Sequence, residues 1–361
     1  MHNSQIISSQ SQRSTHKMVI KKPPKDHIRS LQLDLFSQFV TNNQSQVSNT
    51  IELWERIPKY FFTAKQVEKL RTDKGLAEPY KWKYIESGNE YTVSIQPALI
   101  EQKDGSYKAF FPGVTEELVE EALKKILTDQ QYAIHDPDKT ESWVKFTLGM
   151  VQKELKSKGR SRDINQIKYA IEVMNKCNIA LSKNKKEIWS GAILQDLVTV
   201  GREEYLASTN THHIARLPLF ISHSINLLDY RQFNYERLMS CDEQLTRWLY
   251  KRLINRFTQA SQITEYSCMY SDIKQTSGLL QQTRERDNRI KILSAFKELK
   301  EKNIILNYEI NERKIGRTIS DIKYTIKASP EFIKEQMASN KRTKDTKIIA
   351  QKSGIRIINK P

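Results

Sequence analysis

The sequence predicts an α+β protein in which one arrangement of helices and a β-hairpin occurs twice in tandem, between disordered N- and C-terminal tails. The chain has 361 residues, more than one ordinary hydrophobic core accommodates. Apolar spacing changes from helical to strand-like in the same order in two separate stretches, and both ends are poor in apolar residues. We therefore expect an N-terminal tail (1–50), a first domain with a β-rich extension (51–220), a second domain (221–338) and a basic tail (339–361).

The first unit opens with an amphipathic helix predicted from Trp143 to Lys158. Its apolar residues recur at three- and four-residue intervals, at Val144, Leu148, Val151 and Leu155. Gly159 interrupts this pattern, and Asp163 is a suitable N-cap for a second helix. The buried stripe of the second helix is expected to be Ile164, Ile167, Ile171 and Met174. A hairpin follows, with a strand near 178–181, a polar tip at 182–186 and a return strand from Ile188.

The second unit repeats this order. One helix is striped by Leu245, Trp248, Leu249, Leu253 and Phe257. A shorter helix runs from Tyr270 to a terminating Gly278, and a third begins near Thr283. The third helix is expected to bury Ile292, Phe296 and Leu299. Two alternating strands complete the unit, with apolar positions at Ile304, Leu306, Tyr308 and Ile310 and at Ile322, Tyr324 and Ile326.

Helices followed by a hairpin with a basic tip are typical of the winged-helix form of the helix-turn-helix. A single copy fits a generic α+β unit almost equally well. The second copy, together with arginines at the start of both last helices, favours two tandem winged-helix domains that bind double-stranded DNA.

Residues off the buried stripes are the candidates for contact with DNA, because a recognition helix reads bases through its exposed N-terminal positions. In the second domain these are Arg284, Arg286, Asn288, Arg289 and Lys291 on the helix and Arg313, Lys314 and Arg317 on the wing. In the first domain they are Arg160, Arg162, Asn165, Gln166, Lys168 and Tyr169 near the helix and Lys183, Lys185 and Lys186 on the wing. The alternative is a solvated charged face, with Glu285 and Asp287 pairing locally.

The charge of the chain supports a polyanionic partner. Lys and Arg number 59 against 42 Asp and Glu, which gives a formal net charge of +17. The tail from Ser339 adds a cluster of bases with a single acid, Asp345: Lys341, Arg342, Lys344, Lys347, Lys352, Arg356 and Lys360. No apolar anchor or signal-peptide core accompanies this charge, so we expect a cytoplasmic, nucleoid-associated protein with no membrane partner.

Catalytic chemistry is not expected. The chain has no phosphate-cradling Gly-x-x-x-x-Gly-Lys-Ser/Thr sequence, which disfavours an ATP-driven helicase. His212 and His213 are adjacent and do not flank an apolar residue, as the histidine pair of a rolling-circle nuclease or relaxase would. Cys177, Cys241 and Cys268 are widely spaced and are interpreted as reduced core residues. No catalytic residue, metal or cofactor is therefore predicted.

Beyond the tandem architecture, one extended stretch carries a family resemblance. Residues 91–97 (Tyr-Thr-Val-Ser-Ile-Gln-Pro), 110–113 (Phe-Phe-Pro-Gly) and 115–123 (Thr-Glu-Glu-Leu-Val-Glu-Glu-Ala-Leu) resemble the replication initiator protein A group of theta-replicating bacterial plasmids. The resemblance covers about residues 90 to 335. It implies binding to origin repeats called iterons, melting of an A·T-rich element, recruitment of the host replicative helicase and initiator, and copy number control. It also implies a homodimeric state beside the DNA-binding monomer.

The N-terminal tail contains one apolar island. Gln32, Leu33, Asp34, Leu35 and Phe36 agree at every position with the pentapeptide Gln-Leu-Ser/Asp-Leu-Phe that binds the bacterial sliding clamp. The alternative is a tether, in which these apolar side chains pack on the first winged helix. A transcriptional repressor with no replication role is the alternative function, and it has no reason to carry this peptide.

Overall fold

The computed structural model describes residues 46–129, 131–199 and 212–352, together with Phe36 and Phe39. Over these residues the chain forms, in order, β1 (Val47–Thr50), α1 (Glu52–Glu55), α2 (Ala64–Leu70), β2 (Tyr80–Glu86), β3 (Asn89–Gln96), β4 (Ala98–Glu101), β5 (Tyr107–Phe110), α3 (Val114–Leu127), β6 (Ala133–Asp136), β7 (Glu141–Phe146), α4 (Leu148–Ser157), α5 (Ile164–Lys176), β8 (Asn178–Lys183), β9 (Lys186–Gly191), β10 (Gln195–Thr199), β11 (His213–Arg216), α6 (Leu219–Asn226), β12 (Arg231–Asn234), α7 (Tyr235–Ser240), α8 (Gln244–Arg256), β13 (Glu265–Met269), α9 (Tyr270–Ser277), α10 (Glu285–Glu301), β14 (Ile305–Ile315), β15 (Thr318–Ala328) and α11 (Pro330–Lys352). No helix in these ranges is long and apolar enough to cross a membrane.

The second unit is a winged helix, as predicted. It consists of helices α8, α9 and α10 and a three-stranded antiparallel sheet of order β13-β15-β14, in which β13 lies between α8 and α9 in the chain. Helix α9 ends at Gly278, whose φ of +67° suits glycine, and a Cβ there would lie 2.8 Å from the ring of Phe61. The predicted core face of α10 is confirmed, since Ile292, Phe296 and Leu299 are fully buried.

The first unit ends, like the second, in two helices and a hairpin, but its strands belong to two sheets. Strand β7 leads into α4, and α5 leads into the hairpin β8–β9. Asp163 caps α5 as predicted, its side chain accepting a hydrogen bond from the amide of Gln166 at 2.8 Å. The hairpin joins the sheet β2-β3-β8-β9, whereas β7 lies in a separate sheet of order β10-β11-β7-β6. Sheet β2-β3-β8-β9 therefore supports the first wing.

The prediction of a helix beginning at Trp143 is wrong. Trp143 and Val144 belong to β7, and α4 begins only at Leu148. Thr147 is extended, and its hydroxyl accepts a hydrogen bond from the amide of Met150 at 3.1 Å, which starts the helix. The residues before Thr147, in β7, alternate between buried and half-buried as in a strand.

Strand β14 also differs from its predicted burial. Ile304, just before the strand, is buried, but Leu306 is 56% exposed and Ile310 is 47% exposed. A register shift between Ile305 and Asn307 interrupts the pairing of β14 with β15, so the strict alternation predicted from Ile304 to Ile310 is not kept. The apolar positions of β15 are buried as expected, at Ile322, Tyr324 and Ile326.

The C-terminal segment is helical farther than the predicted tail allows. Helix α11 continues through Lys352, because one of its faces packs against the protein. The buried residues of that face are Phe332, Gln336, Ser339, Thr346 and Ala350. Arg231 of β12 also donates hydrogen bonds to Gln336 at 2.8 Å and to Asn340 at 2.7 Å. Residues 353–361 lie outside the described residues.

A buried network of ion pairs joins the two halves. Lys251 of α8 contacts Glu55 at 2.9 Å and Glu121 at 2.5 Å, and Lys124 of α3 contacts the same two carboxylates at 2.6 and 2.5 Å. All four side chains are nearly inaccessible to solvent. Each charge therefore has a partner of opposite sign, which is the condition for burying it without a large desolvation loss.

Candidate nucleic-acid interface

Two arginines at the start of α10 are directed to solvent. Arg284 is the extended N-cap residue and Arg286 lies in the first turn, and both are exposed. Arg289 is half-buried, with its Nε 3.3 Å from the carbonyl oxygen of Glu285. These arginines lie at the N-terminal end of α10, which corresponds to the end of the recognition helix that contacts base edges in helix-turn-helix proteins.

The acidic residue between the two exposed arginines is paired elsewhere. The carboxylate of Glu285 accepts hydrogen bonds from Lys274 and from the hydroxyl of Tyr270, both on α9. The bonds from Lys274 and Tyr270 hold the pKa of the Glu285 carboxyl below its usual value. Lys274 thus compensates the negative charge locally, and it also ties α9 to α10.

Two other predicted residues of α10 serve the fold. Asn288 is fully buried, and its side-chain amide accepts from the backbone amide of Gln282 at 2.9 Å and donates to the Gln282 carbonyl oxygen at 3.0 Å. Lys291 donates to the carbonyl oxygen of Leu279 at 3.1 Å, and burial lowers the pKa of its ammonium group. Both side chains hold the loop before α10, in contrast to the predicted contact with DNA.

The second wing is long and basic at its tip. Its strands meet at a two-residue turn in which Gly316 has a φ of +60°. Arg313 and Arg317 are exposed, and Lys314 pairs with Glu312 at 3.0 Å. Arginines at such a tip suit contact with phosphates or with the minor groove.

The predicted arginines of the first domain lie in contacts within the chain. Arg160 donates to the carbonyl oxygen of Met239 at 2.8 Å and pairs with Asp242 at 2.8 Å, so it joins the two halves. Arg162 lies 3.4 Å from the hydroxyl of Thr115 and donates to the carbonyl oxygen of Ser161 at 2.8 Å. These contacts differ from the prediction that both arginines contact DNA.

The remaining candidates of the first domain are presented at α5 and at its wing. Asn165 and Gln166 are exposed in the first turn of α5, although Gln166 also accepts a hydrogen bond from the amide of Asp163 at 3.1 Å. Lys168 and Tyr169 are half-buried, and Tyr169 packs edge-on against Phe110. The exposed wing residues are Lys185 and Lys186, with Lys183 half-buried.

One exposed apolar residue of α10 was missed by the sequence argument. Ile290 is 53% exposed and lies four residues after Arg286, which places both on the outward face of the helix. Its signal in the sequence is an apolar residue that does not fit the stripe of Ile292, Phe296 and Leu299.

The adjacent histidines are in different environments. His213 is buried on β11, where its Nδ1 lies 3.3 Å from the hydroxyl of Thr199 and burial lowers its pKa, whereas His212 is exposed. Within the ranges described above, no three His, Cys, Asp or Glu side chains are grouped as a metal site requires.

The apolar island of the N-terminal tail is described only at its last residue. Gln32, Leu33, Asp34 and Leu35 lie outside the described residues. The ring of Phe36 stacks on the imidazole of His135, with centroids 4.8 Å apart and an angle of 20° between the planes. Phe39 is buried beside Tyr230, with ring centroids 4.9 Å apart.

The two units of helices and hairpin define a protein of the tandem winged-helix class. No family model matches the chain, and no curated protein matches it significantly. Among solved structures, the chain is similar to a selenomethionine derivative of domains 2 and 3 of RctB, with 15% identity, a TM-score of 0.43, and coverage of 71% of this chain and 95% of that one. A second structure of RctB domains 2-3 gives 13% identity, a TM-score of 0.43 and coverage of 75% and 97%. The chain is also similar to the Pi initiator protein in complex with iteron DNA, with 13% identity, a TM-score of 0.35, and coverage of 80% of this chain and 99% of that one.

Proposed function

We propose that the chain is a replication initiator that binds repeated double-stranded DNA sequences at an origin through both winged helices. The observation that carries the proposal is the exposed pair Arg284 and Arg286 at the start of α10, whose intervening carboxylate is paired with Lys274. Positive charge is thereby directed outward at the end of a helix that fits the major groove.

Each part of the second unit has a separate task in this proposal. Arg286 forms the bidentate contact with a guanine edge that arginine makes most often, and Arg284 contacts the adjacent base or phosphate. Arg313 and Arg317 of the wing hold the phosphate backbone, which fixes the register of the helix without reading bases. Within the second unit, specificity therefore resides in α10, and much of the affinity resides in the wing.

The first unit extends the recognised sequence. Asn165 and Gln166 are exposed at the start of α5, and asparagine or glutamine pairs in bidentate fashion with adenine. Lys185 and Lys186 supply phosphate contacts at the first wing. Buried ion pairs join α3 to α8, which supports a fixed relative orientation of the two units when both bind one duplex.

Recruitment of the sliding clamp belongs to the same proposal. The apolar side chains of residues 32–36 would occupy a cleft on the clamp, and burying each contributes about 1.5 to 3 kcal/mol before ordering is subtracted. Phe36 already stacks on His135, so clamp binding requires this side chain to leave the protein surface. The proposal also includes recruitment of the host replicative helicase and initiator, copy number control and homodimer formation. It further includes a non-enzymatic mode of action and a cytoplasmic location.

Titration of the protein with DNA that flanks its own gene tests the proposal. We expect saturable binding to a set of direct repeats that excess unrelated duplex does not displace, and plasmid maintenance that depends on those repeats. Binding to a single inverted repeat at the promoter, without any effect on maintenance, would contradict the proposal and indicate a repressor.

A further inference from the structure

We propose that Ile290 reads the 5-methyl group of a thymine in the base pair next to the one that Arg286 contacts. This inference rests on the proposed binding of DNA by α10. It names a residue that determines specificity by apolar contact, beside the arginines that act through hydrogen bonds.

The position of Ile290 on α10 is the first observation. The core face of the helix is formed by Ile292, Phe296 and Leu299, each fully buried, and Ile290 lies on the opposite side. Arg286 precedes it by four residues, about one helical turn, and therefore lies on the same face. Ile290 is the sixth residue of α10, within the N-terminal part of the helix that reaches base edges.

The exposure of Ile290 is the second observation. About half of its side chain, 53%, is accessible to solvent, so it contributes little to the core. Helix propensity does not explain the residue either, because a β-branched side chain is less favourable in a helix than alanine, leucine or lysine. An apolar surface that neither the core nor the helix requires is available for a ligand.

The surroundings of Ile290 select the kind of ligand. The outward face also carries the exposed Arg286, and Arg284 lies at the start of the helix. Farther along this face, Lys297 pairs with Glu301 at 3.9 Å, so the excess positive charge lies at the N-terminal end. A partner that fits this face is negatively charged around a small apolar group. The major groove at a thymine has this combination, because the 5-methyl group projects between two phosphate backbones.

Single thymine-to-uracil replacements test the inference, since uracil lacks only the 5-methyl group. Sites are first selected from a random duplex pool by the full-length protein, and each thymine of the selected site is then replaced in turn. We expect one position at which uracil weakens binding by about fourfold, the factor that corresponds to one buried methyl group. At that position Ile290→Ala is expected to bind thymine and uracil equally, whereas Ile290→Val retains part of the difference.

Ile349→Ala is the matched control, because Ile349 is also exposed on a helix, at 46%. It is expected to keep the full preference for thymine. The inference would be overturned if no uracil substitution weakens DNA binding by the wild-type protein, or if Ile290→Ala keeps the full preference for thymine over uracil. Either result would leave DNA binding by α10 intact. A protein that selects no sequence from the pool would overturn the proposed function as well.

Discussion

Arg247 and Glu117 form a two-point ion pair that links the second winged helix to the first. Nε of Arg247 donates to one carboxylate oxygen of Glu117 at 3.1 Å and an Nη donates to the other at 2.8 Å. Only 1% of the arginine side chain is exposed. The same guanidinium donates to the carbonyl oxygens of Cys241 and Asp242, so the arginine also holds the segment that leads into α8.

Removing one partner of this pair should destabilise the fold strongly. Arg247→Ala removes the cation that forms hydrogen bonds with the buried Glu117, and such losses cost about 3 to 5 kcal/mol. Unfolding in urea measures the change. The control is Lys327→Ala, which breaks the exposed pair with Glu265 and should cost less than about 1 kcal/mol. Equal effects of the two substitutions would contradict a buried role for Arg247.

Acid should weaken the same interface through Glu55. Burial alone would raise the pKa of this carboxyl, but Lys124 and Lys251 outweigh burial and hold the pKa well below its usual value. The folded pKa is therefore lower than the unfolded value of about 4.3, so the stabilisation is complete above that value and is lost as the pH falls toward the folded pKa. We expect the free energy of unfolding to decline more steeply below pH ~4.5 in the wild type than in Glu55→Gln. An identical decline would exclude Glu55 as a cause.

Exposed and buried residues of α10 should respond differently to substitution. Arg286→Ala is expected to cost about 1 to 3 kcal/mol of discrimination between specific and random DNA, with unchanged stability. Asn288→Ala is expected to destabilise the protein by about 1 to 3 kcal/mol, because it leaves the backbone groups of Gln282 unpaired. Thermal melting and competition binding separate the two effects. A loss of stability in Arg286→Ala would contradict the assignment of Arg286 to contact with DNA instead of to the fold.

Substitutions at the wings should lower affinity without changing specificity. Arg317→Ala and Lys186→Ala each remove one proposed phosphate contact, so the dependence of log K on log salt should become less steep by about 1. Point substitutions are preferable to truncation after residue 338, because that truncation would remove the buried Ser339, Thr346 and Ala350 of α11. An unchanged salt dependence would place the phosphate contacts elsewhere.

Clamp binding should compete with the packing of Phe36. His135→Ala removes the ring on which Phe36 stacks and should strengthen binding to purified clamp several-fold, whereas Leu35→Ala with Phe36→Ala should abolish it. Ser142→Ala is the control, because it removes a hydrogen bond to His135 and leaves the ring in place. A free peptide of residues 28–40 that does not bind would exclude the clamp. A binding peptide with no effect of His135→Ala would exclude the competition.

Local signals in the sequence predicted much of the fold. Asp163 and Gly278 mark helix ends through their own backbone and side-chain chemistry, so they could be identified without knowledge of the tertiary structure. Asn288 could also have been assigned correctly, because its spacing of four and eight residues from Ile292 and Phe296 places it on the core face. The polarity of Asn288 predicts a contact with DNA, whereas its side chain forms hydrogen bonds with the backbone of Gln282 in the loop before α10.

The contacts between distant segments could not be predicted. The position of Arg160 before α5 predicts a contact with DNA, but the fold brings Asp242 and Met239, about 80 residues along the chain, against its guanidinium group. The pairing of β3 with β8 likewise depends on residues that are separated by three helices. The length of α11 depends on β12, because the buried face of α11 packs on this strand and accepts hydrogen bonds from Arg231. Sequence spacing carries no information on such partners.

Footprinting of two paired variants on one repeat tests the central claim that both winged helices read the same DNA. Asn165→Ala with Gln166→Ala alters the exposed start of α5, and Arg284→Ala with Arg286→Ala alters the exposed start of α10. We expect the wild type to protect the whole repeat, and each variant to lose protection over a different part of it. Loss of the same part in both variants, or full protection by either of them, would contradict recognition by two tandem winged helices.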